Sequence, residues 1–240
     1  MAVMDRAYVL LASEQRDGCL PESSPNITWQ NGRITRADRR QALGAAGATV
    51  WLTGLPASGK STIGAALEEH LVGHGKFAYL LDGDNLRHGI CGDLGFSSDD
   101  RARNVARAGE LAGLFADAGA IAIVALISPF AEARAAVRER HAQWGLPFVE
   151  VHVATSLEKC VARDPKGLYA RCAAGQLTHL TGIDDPYEPP SRPDLRLDDE
   201  MSVRAAVEAI AGALERALSG RPLAPGSPTD LRPPRQGGKT

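Results

Sequence analysis

The chain has 240 residues, of which 44% are hydrophobic and 5% aromatic, and its formal net charge is −2. This length suits one α/β domain with or without tails. The charge excludes a global basic field that would hold nucleic acid or an anionic membrane. In addition, no apolar run approaches the roughly 18 residues that a membrane span needs. We therefore expect neither partner, and any nucleotide must be held by a local site.

Predicted strands and helices alternate along the chain. Residues 1–25 show no sustained periodicity, and we expect a disordered extension there. The apolar patterns predict strands over residues 49–53, 76–81, 120–127, 147–153 and 195–197. They predict helices over residues 35–43, 60–73, 98–118, 129–144 and 202–218, with Ser98 or Asp99 capping the third helix and Gly119 ending it. Pro, Gly and Ser dominate residues 219–240, which predicts a disordered tail.

This alternation predicts an α/β fold with a mostly parallel sheet and right-handed crossovers. The domain is expected to span residues 26–218. Its polar and basic segment, about 158–182, is predicted to form a mobile lid. Ligands should bind at the carboxyl ends of the strands. Three motifs follow strands there, at residues 54–61, at residues 82–87 and at Ser128, so we expect them to form one site.

The stretch Gly54-Leu-Pro-Ala-Ser-Gly-Lys-Ser61 matches G-x-x-x-x-G-K-[ST] between a predicted strand and a predicted helix. This context indicates a phosphate-binding loop, or P-loop, whose backbone N–H groups and helix N-terminus attract anions. Lys60 can then reach the β- and γ-phosphates of a nucleotide, and the Ser61 hydroxyl can ligate Mg²⁺. An ordinary glycine-rich turn before a helix is the alternative interpretation.

Two carboxylates follow the second predicted strand, in Leu81-Asp-Gly-Asp-Asn-Leu-Arg87. In an extended segment Asp82 and Asp84 would share a face. One could organise Mg²⁺, and the other could accept a proton from an attacking hydroxyl. The strand that often supplies the metal-organising acid ends here in Ser128, so the acid must come from elsewhere, and Asp82 or Asp84 is available. An Asx-rich turn is the alternative, and the lack of an Asn-Lys-x-Asp segment argues against a GTPase.

Two further segments carry candidate binding residues. Phe96 lies in a polar stretch where it could stack on a purine. Arg101 and Asn104 share a helix face and, with Arg87, could bind a second anion. The segment Arg163-Asp-Pro-Lys-Gly-Leu-Tyr169 combines cations with a glycine hinge, as expected of a lid that excludes water. A solvated helix start and a basic loop are the respective alternatives.

Taken together, these motifs resemble the adenosine-5′-phosphosulfate (APS) kinases, the adenylyl-sulfate kinase family. The resemblance runs from Asn26 to about Leu197 and is carried by DGDN-x-R, DLGFS, RDPKGLY and TGIDDPYE. It implies Mg²⁺-dependent transfer of the ATP γ-phosphoryl group to the ribose 3′-hydroxyl of APS. The products would be 3′-phosphoadenosine 5′-phosphosulfate (PAPS) and ADP.

The resemblance also assigns roles to residues. Asp84 is the first choice for the acid near the 3′-hydroxyl and Asp82 the second, with Lys60 and Ser128 also in the catalytic set. Metal contacts are assigned to Ser61 and Asp84. ATP phosphates are assigned to Gly54, Leu55, Pro56, Ala57, Ser58, Gly59, Lys60, Ser61 and Thr62. APS is assigned to Asp84, Arg87, Phe96, Arg101, Asn104, Ile127, Ser128, Lys166, Gly167, Leu168 and Leu180. We expect direct transfer rather than a phosphoserine at Ser128, because no adjacent base is evident.

The chain departs from the family pattern at several positions. Leu180 replaces a usual Phe, and the lost stacking would weaken APS binding by about 0.5–1.5 kcal/mol. Ala106 replaces an Arg, Ala173 replaces a basic lid residue, and Cys91-Gly92 replaces Asn-Lys. Because the P-loop and Asp84 remain, we expect an active enzyme with altered affinities.

Two other functions remain open from the sequence: a P-loop kinase for another small hydroxyl acceptor, and a non-catalytic nucleotide-binding protein. The four cysteines, at positions 19, 91, 160 and 172, form no Cys-x-x-Cys pair. They fit reduced thiols in a cytoplasmic protein. The family further suggests a homodimer, and a separate ATP sulfurylase is a possible source of APS.

Overall fold

A computed structural model describes Gln30 and residues 32–220 of the chain. The predictions for residues 1–25, the motif at Asn26–Trp29 and residues 221–240 lie outside this range. The described residues form five strands: β1 (Ala48–Thr53), β2 (Ala78–Asp82), β3 (Ile121–Ala125), β4 (Phe148–Val153) and β5 (Leu195–Leu197). They also form eight helices: α1 (Arg36–Leu43), α2 (Lys60–Gly73), α3 (Gly83–Arg87), α4 (Ser98–Ala118), α5 (Ala131–Gln143), α6 (Leu157–Arg163), α7 (Leu168–Ala173) and α8 (Val203–Ser219).

The five strands form one parallel sheet in the order β2-β3-β1-β4-β5. Every residue of β1 and β3 is buried, as expected of central strands covered on both faces. The predicted parallel α/β fold is therefore confirmed. Since all strands point the same way, the segments that follow β1, β2 and β3 emerge at one edge.

Helices cover both faces of the sheet. On one face, α2 and α8 pack on β1, β3 and β4, with Leu67 and Ile210 fully buried. On the other face, α4 and α5 pack over Trp51 and Val124. Gly113 permits the close approach at the end of α5, because a Cβ there would lie 2.3 Å from the Trp144 ring. This packing holds the carboxyl edge of the sheet rigidly in place.

The structure corrects two local predictions. Ser97, rather than Ser98 or Asp99, caps α4, because its backbone is extended and its hydroxyl accepts the N–H of Asp100. The extended segment proposed for Asp82 and Asp84 is also wrong. Asp82 ends β2 and caps the short helix α3, so Asp84 lies in a first helical turn and not on a shared strand face.

The predicted lid region contains α6 and α7 around its own small apolar cluster. Cys160, Tyr169 and Leu180 are buried there, and the Tyr169 hydroxyl donates to the carbonyl of Pro56 at 3.1 Å. This segment is therefore packed against the P-loop. Among the described helices, none is both long enough and apolar enough to cross a membrane.

Candidate active site

One cavity of about 830 Å³ opens at the carboxyl edge of the sheet. Its lining includes residues 56–63 of the P-loop region, Asp82 to Asp84 with Arg87, and the turn at 127–129. The three motifs therefore converge on one cavity at one edge of the sheet, as expected from the topology. Segments from the lid and from the start of α8 close the cavity on its other sides.

The P-loop curls tightly between β1 and α2. Ala57 and Gly59 both have a positive φ, +59° and +104°, and Gly59 is the residue before the first turn of α2. This left-handed backbone turns successive N–H groups toward one point at the helix N-terminus. The Thr155 hydroxyl donates to the carbonyl of Ser58 at 2.8 Å and fixes the loop to the end of β4.

Lys60 is buried within this loop. Its ammonium donates to the carbonyls of Gly54 and Leu55 at 3.0 and 2.7 Å, and to the Ser58 hydroxyl at 3.3 Å. Burial lowers the pKa of Lys60 to about 8. A phosphate beside the ammonium would favour the charged form and raise this pKa again.

Asp82 and Asp84 have different partners. The Ser61 hydroxyl donates to Oδ2 of Asp82 at 2.6 Å, and the backbone N–H of Asp84 donates to Oδ1 of Asp82 at 3.0 Å. Asp84 is exposed, and its carboxylate accepts the ammonium of Lys166 from the lid. Only the Asp82 carboxylate therefore bonds to the P-loop serine in the described structure.

A cationic and aromatic group forms another part of the wall. The guanidinium of Arg87 lies 4.4 Å from the centroid of the Phe96 ring, and that of Arg101 lies 5.6 Å from it. Arg87 also donates to the carbonyls of Leu94 and Gly95, and Arg101 donates to the carbonyls of Phe96 and His179. Phe96 remains 59% exposed within the cavity lining. Asn104 is buried nearby on α4, and its Oδ1 has no hydrogen-bond partner.

Ser128 lies in the wall with its hydroxyl turned into the protein. The Trp51 indole N–H donates to Ser128 Oγ at 3.1 Å, and Oγ lies 3.4 Å from the carbonyl of Leu126. No carboxylate or imidazole among the described residues bonds to this hydroxyl. Ile127 lines the same wall and is half-buried.

The predicted site residues in the lid region differ from one another in how exposed they are. Lys166 is exposed, whereas Leu168 and Gly167 are half-buried at the start of α7. Leu180 is 5% exposed and packs with Cys160 and Tyr169 while it lines the cavity. Except for Gly54, Leu55 and Gly167, all predicted site residues line this one cavity.

The structure adds lining residues that sequence reasoning did not assign. Thr181 is fully buried, and its hydroxyl has no partner. Arg163 lies against the P-loop, with Nη1 4.0 Å from where a Cβ on Gly59 would stand. Both belong to motifs quoted above. A further wall, at the end of β5 and the start of α8, carries no motif and comprises Leu197, Asp198, Asp199, Met201, Val203 and Ala206. The rule that ligands bind at the carboxyl ends of strands could have found it.

Of the departures from the family pattern, only Leu180 lines the cavity. Cys91 is fully buried between Leu86 and Leu94 in the core, and Ala106 is buried on α4. Ala173 is exposed at the end of α7. None of these three residues lines the cavity, so we expect them to leave direct nucleotide contacts unchanged.

A P-loop on a parallel sheet, with two carboxylates and the basic segment 163–169 beside it, is the arrangement expected of a P-loop kinase. The sequence model of the family Adenylylsulphate kinase matches residues 46–198. The adenylyl-sulfate kinase of Marinobacter nauticus is 50% identical over 177 residues, which cover 74% of this chain and 88% of that protein. That of Citrobacter koseri is 49% identical over 191 residues, covering 80% and 94%.

A solved structure is similar as well. The Mycobacterium tuberculosis APS kinase CysC in complex with AMPPNP and APS has a TM-score of 0.70 and 50% identity, over 71% of this chain and 99% of that one. The chain therefore belongs to the adenylyl-sulfate kinase family. The family predicted from the motifs, and with it the predicted enzyme class, is confirmed.

Proposed function

We propose that this chain transfers the ATP γ-phosphoryl group to the ribose 3′-hydroxyl of APS, giving PAPS and ADP, within the one cavity described above. The observation that carries this proposal is the placement of the P-loop between two differently built walls of that cavity. One wall lies at the end of β5 and the start of α8. The other carries Phe96, Arg87 and Arg101.

We place the ATP phosphates on the P-loop and the ATP adenine toward the wall at the end of β5 and the start of α8. The N–H groups of the loop, Lys60 and the N-terminus of α2 supply positive potential for its phosphates. Arg163 lies against the loop and adds a further cation. Met201 and Val203 offer apolar surface for a base at that wall.

Mg²⁺ fits the oxygen atoms at the start of α2. Ser61 and Asp82 already meet there through a 2.6 Å hydrogen bond, and hydroxyl and carboxylate oxygens suit this ion. Mg²⁺ keeps several waters and phosphate ligands, so no protein cage is required. Accordingly, the described residues contain no group of three or more metal-binding side chains. We propose Asp82, in place of Asp84, as the carboxylate of this site, where the ion would neutralise charge on the transferred phosphoryl group.

We place APS at the wall that carries Phe96, Arg87 and Arg101. Phe96 offers an exposed ring face for its adenine. Arg87 and Arg101 supply cations for the phosphosulfate, and their bonds to loop carbonyls hold the ring and both guanidinium groups together. The unpartnered oxygens of Asn104 and Thr181 offer further hydrogen bonds to this nucleotide.

The reaction then needs a proton acceptor and charge neutralisation. The 3′-oxygen of APS attacks the γ-phosphorus while the bond to the β–γ bridging oxygen breaks. In this proposal Asp84 accepts the hydroxyl proton, and Lys60 and Lys166 balance the phosphoryl charge. Direct transfer is favoured because the Ser128 hydroxyl is bonded to Trp51 and has no base beside it.

A panel of acceptors tests this function. With MgATP, we expect kcat/KM for APS to exceed that for AMP by about 10–100-fold, since AMP lacks the sulfate that the arginines would bind. Faster turnover of a sugar or nucleoside would instead indicate another small-acceptor kinase. ATP binding without turnover of any acceptor would indicate a non-catalytic protein.

The remaining expectations about partners and location stay predictions. They comprise a homodimer, a separate ATP sulfurylase as the source of APS, and a cytoplasmic location. The free thiols of Cys91, Cys160 and Cys172 in the described residues fit a reducing compartment.

A further inference from the structure

One buried arginine joins three separate segments behind the wall proposed for APS. Arg134, on the first turn of α5, is 2% exposed. Its Nε donates to Oε1 of Glu150 at 2.9 Å, its Nη1 to the carbonyl of Ser128, and its Nη2 to the carbonyl of Glu188, the last two at 2.6 Å. A planar guanidinium is suited to such a set of acceptors because its donors have a fixed geometry.

The Ser128 turn needs such support. Ser128 has φ +41°, a left-handed conformation that a residue with a Cβ adopts only when its surroundings impose it. Besides Arg134, the bonds that hold this turn in the described structure include those of Trp51 to the hydroxyl and of Thr53 to the carbonyls of Ile127 and Ser128. Ile127, Ser128 and Pro129 all line the cavity.

The segment that follows the lid is attached to the same turn. The N–H of Glu188 donates to the carbonyl of Pro129 at 2.9 Å. Its carboxylate accepts the N–H of Ala131 at 2.7 Å, at the start of α5. Arg134 therefore ties the turn to the chain that returns from the lid, where residues 177–181 form another part of the cavity lining.

We propose that Arg134 is a positioning residue that fixes the wall for the acceptor nucleotide and so controls the KM for APS rather than the KM for ATP. This inference rests on the proposed placement of APS at that wall. Arg134 does not line the cavity itself and acts through the backbone of Ser128 and Glu188. The P-loop is held by other bonds, including that of Thr155, and the three hydrogen bonds of Arg134 end on Glu150, Ser128 and Glu188, outside the loop.

Arg138 offers a matched control one turn further along α5. It also pairs with Glu150, at 3.3 Å, and with Asp194 at 2.7 Å. Within the described residues, it makes no hydrogen bond to Ser128 or Glu188. Replacing Arg138 therefore disturbs the same buried carboxylate while leaving the turn attached to Arg134.

The test compares Arg134→Lys with Arg138→Lys by separate KM measurements for APS and MgATP. In Arg134→Lys we expect the KM for APS to rise about tenfold or more, with the KM for MgATP within about twofold of wild type. Arg138→Lys should leave both within about twofold. Equal changes in both KM values, no change, or the same APS effect in Arg138→Lys would overturn the inference.

A second variant covers the case in which Arg134→Lys does not fold. Glu188→Ala removes an exposed carboxylate that bonds only to the start of α5 and should leave the core intact. We expect a smaller rise in the KM for APS and none for MgATP. An unchanged KM for APS contradicts the inference. The wild-type enzyme is assayed first, so a failure to phosphorylate APS at all would count against the proposed function and not against the role of Arg134.

Discussion

Two carboxylates two residues apart have different surroundings, from which we infer different roles. Asp82 accepts the Ser61 hydroxyl, whereas Asp84 is exposed beside Lys166. We predict that Asp82→Asn raises the Mg²⁺ concentration for half-maximal rate by about 10–100-fold, as expected when a carboxylate that supports a metal loses its charge. Asp84→Asn should lower kcat with little change in that concentration. Titrating Mg²⁺ at saturating ATP and APS measures both quantities, and the reverse pattern would exchange the two roles.

Lys60 makes nucleotide binding pH-dependent. Its pKa is lowered to about 8 by burial, and phosphates would raise it, so ATP binding above pH 8 should take up a proton. At pH 8.5 we expect net proton uptake on binding, and well above pH 8 a fall in affinity that approaches about tenfold per pH unit. Calorimetry in two buffers of different ionisation enthalpy measures this uptake. At pH 6.5 Lys60 is already charged, so it should contribute none, and proton release at pH 8.5 would contradict the assignment.

At the residue level, sequence reasoning identified the site residues that belong to short motifs. It missed residues whose role depends on contacts that only the folded chain makes. Gly59, Lys60 and Ser61 were predictable because the P-loop pattern requires them. The bonds of Asp82 were not, because they depend on how the chain turns into α3 after β2. Arg134 is indistinguishable in the sequence from a surface helix charge, since its acceptors lie up to 54 positions away.

At the level of elements, periodicity predicted the strands and longer helices well and their ends less well. The apolar run 120–127 extends past β3, which ends at Ala125, because Leu126 and the following residues leave the strand to form the cavity wall. The residues between α6 and α8 were harder to predict. Their short helices are stabilised by contacts with the P-loop, such as the bond from Tyr169 to Pro56, and not by a long repeating pattern.

The lid can be tested through its contact with Asp84. The Lys166–Asp84 pair is exposed on both sides, so its contribution to stability should be small. We predict that Lys166→Met changes the melting temperature by less than about 2 °C and lowers kcat by about 10–100-fold, since one cation near the transferred phosphoryl group is lost. Circular dichroism and steady-state rates measure the two effects. The exposed Lys76, which is not part of the cavity lining, provides a control as Lys76→Met.

At the level of the whole molecule, a buried histidine links stability to pH. His141 is fully buried, and its ring nitrogens bond to the Thr49 hydroxyl and to the carbonyl of Val137. Burial lowers its pKa to about 4 and so favours the neutral ring, although the bond to the Val137 carbonyl acts in the opposite direction. The unfolded chain binds a proton near the ordinary pKa of 6.5, and the folded chain does not. The contribution of the neutral His141 ring to the free energy of unfolding is therefore fully present above pH 6.5. The free energy of unfolding should fall by up to about 3 kcal/mol as the pH drops toward 4.

Urea unfolding at pH 7.5 and 5.0 tests this linkage. The loss of stability between these values should be smaller in His141→Gln than in wild type. His152, whose pKa burial also lowers to about 4, should contribute a separate part of the loss, so His152→Gln is the matched comparison. An unchanged loss in His141→Gln would show that its ring is not the buried group responsible.

The central claim is that two nucleotides meet at the P-loop within one cavity. A crystal structure with Mg²⁺, AMPPNP and APS measures this directly. We predict the AMPPNP adenine near Met201, the APS adenine on the Phe96 ring, and the APS 3′-hydroxyl nearer to Asp84 than to Asp82. APS bound elsewhere, with Arg87 and Arg101 remote from its phosphosulfate, would contradict the claim.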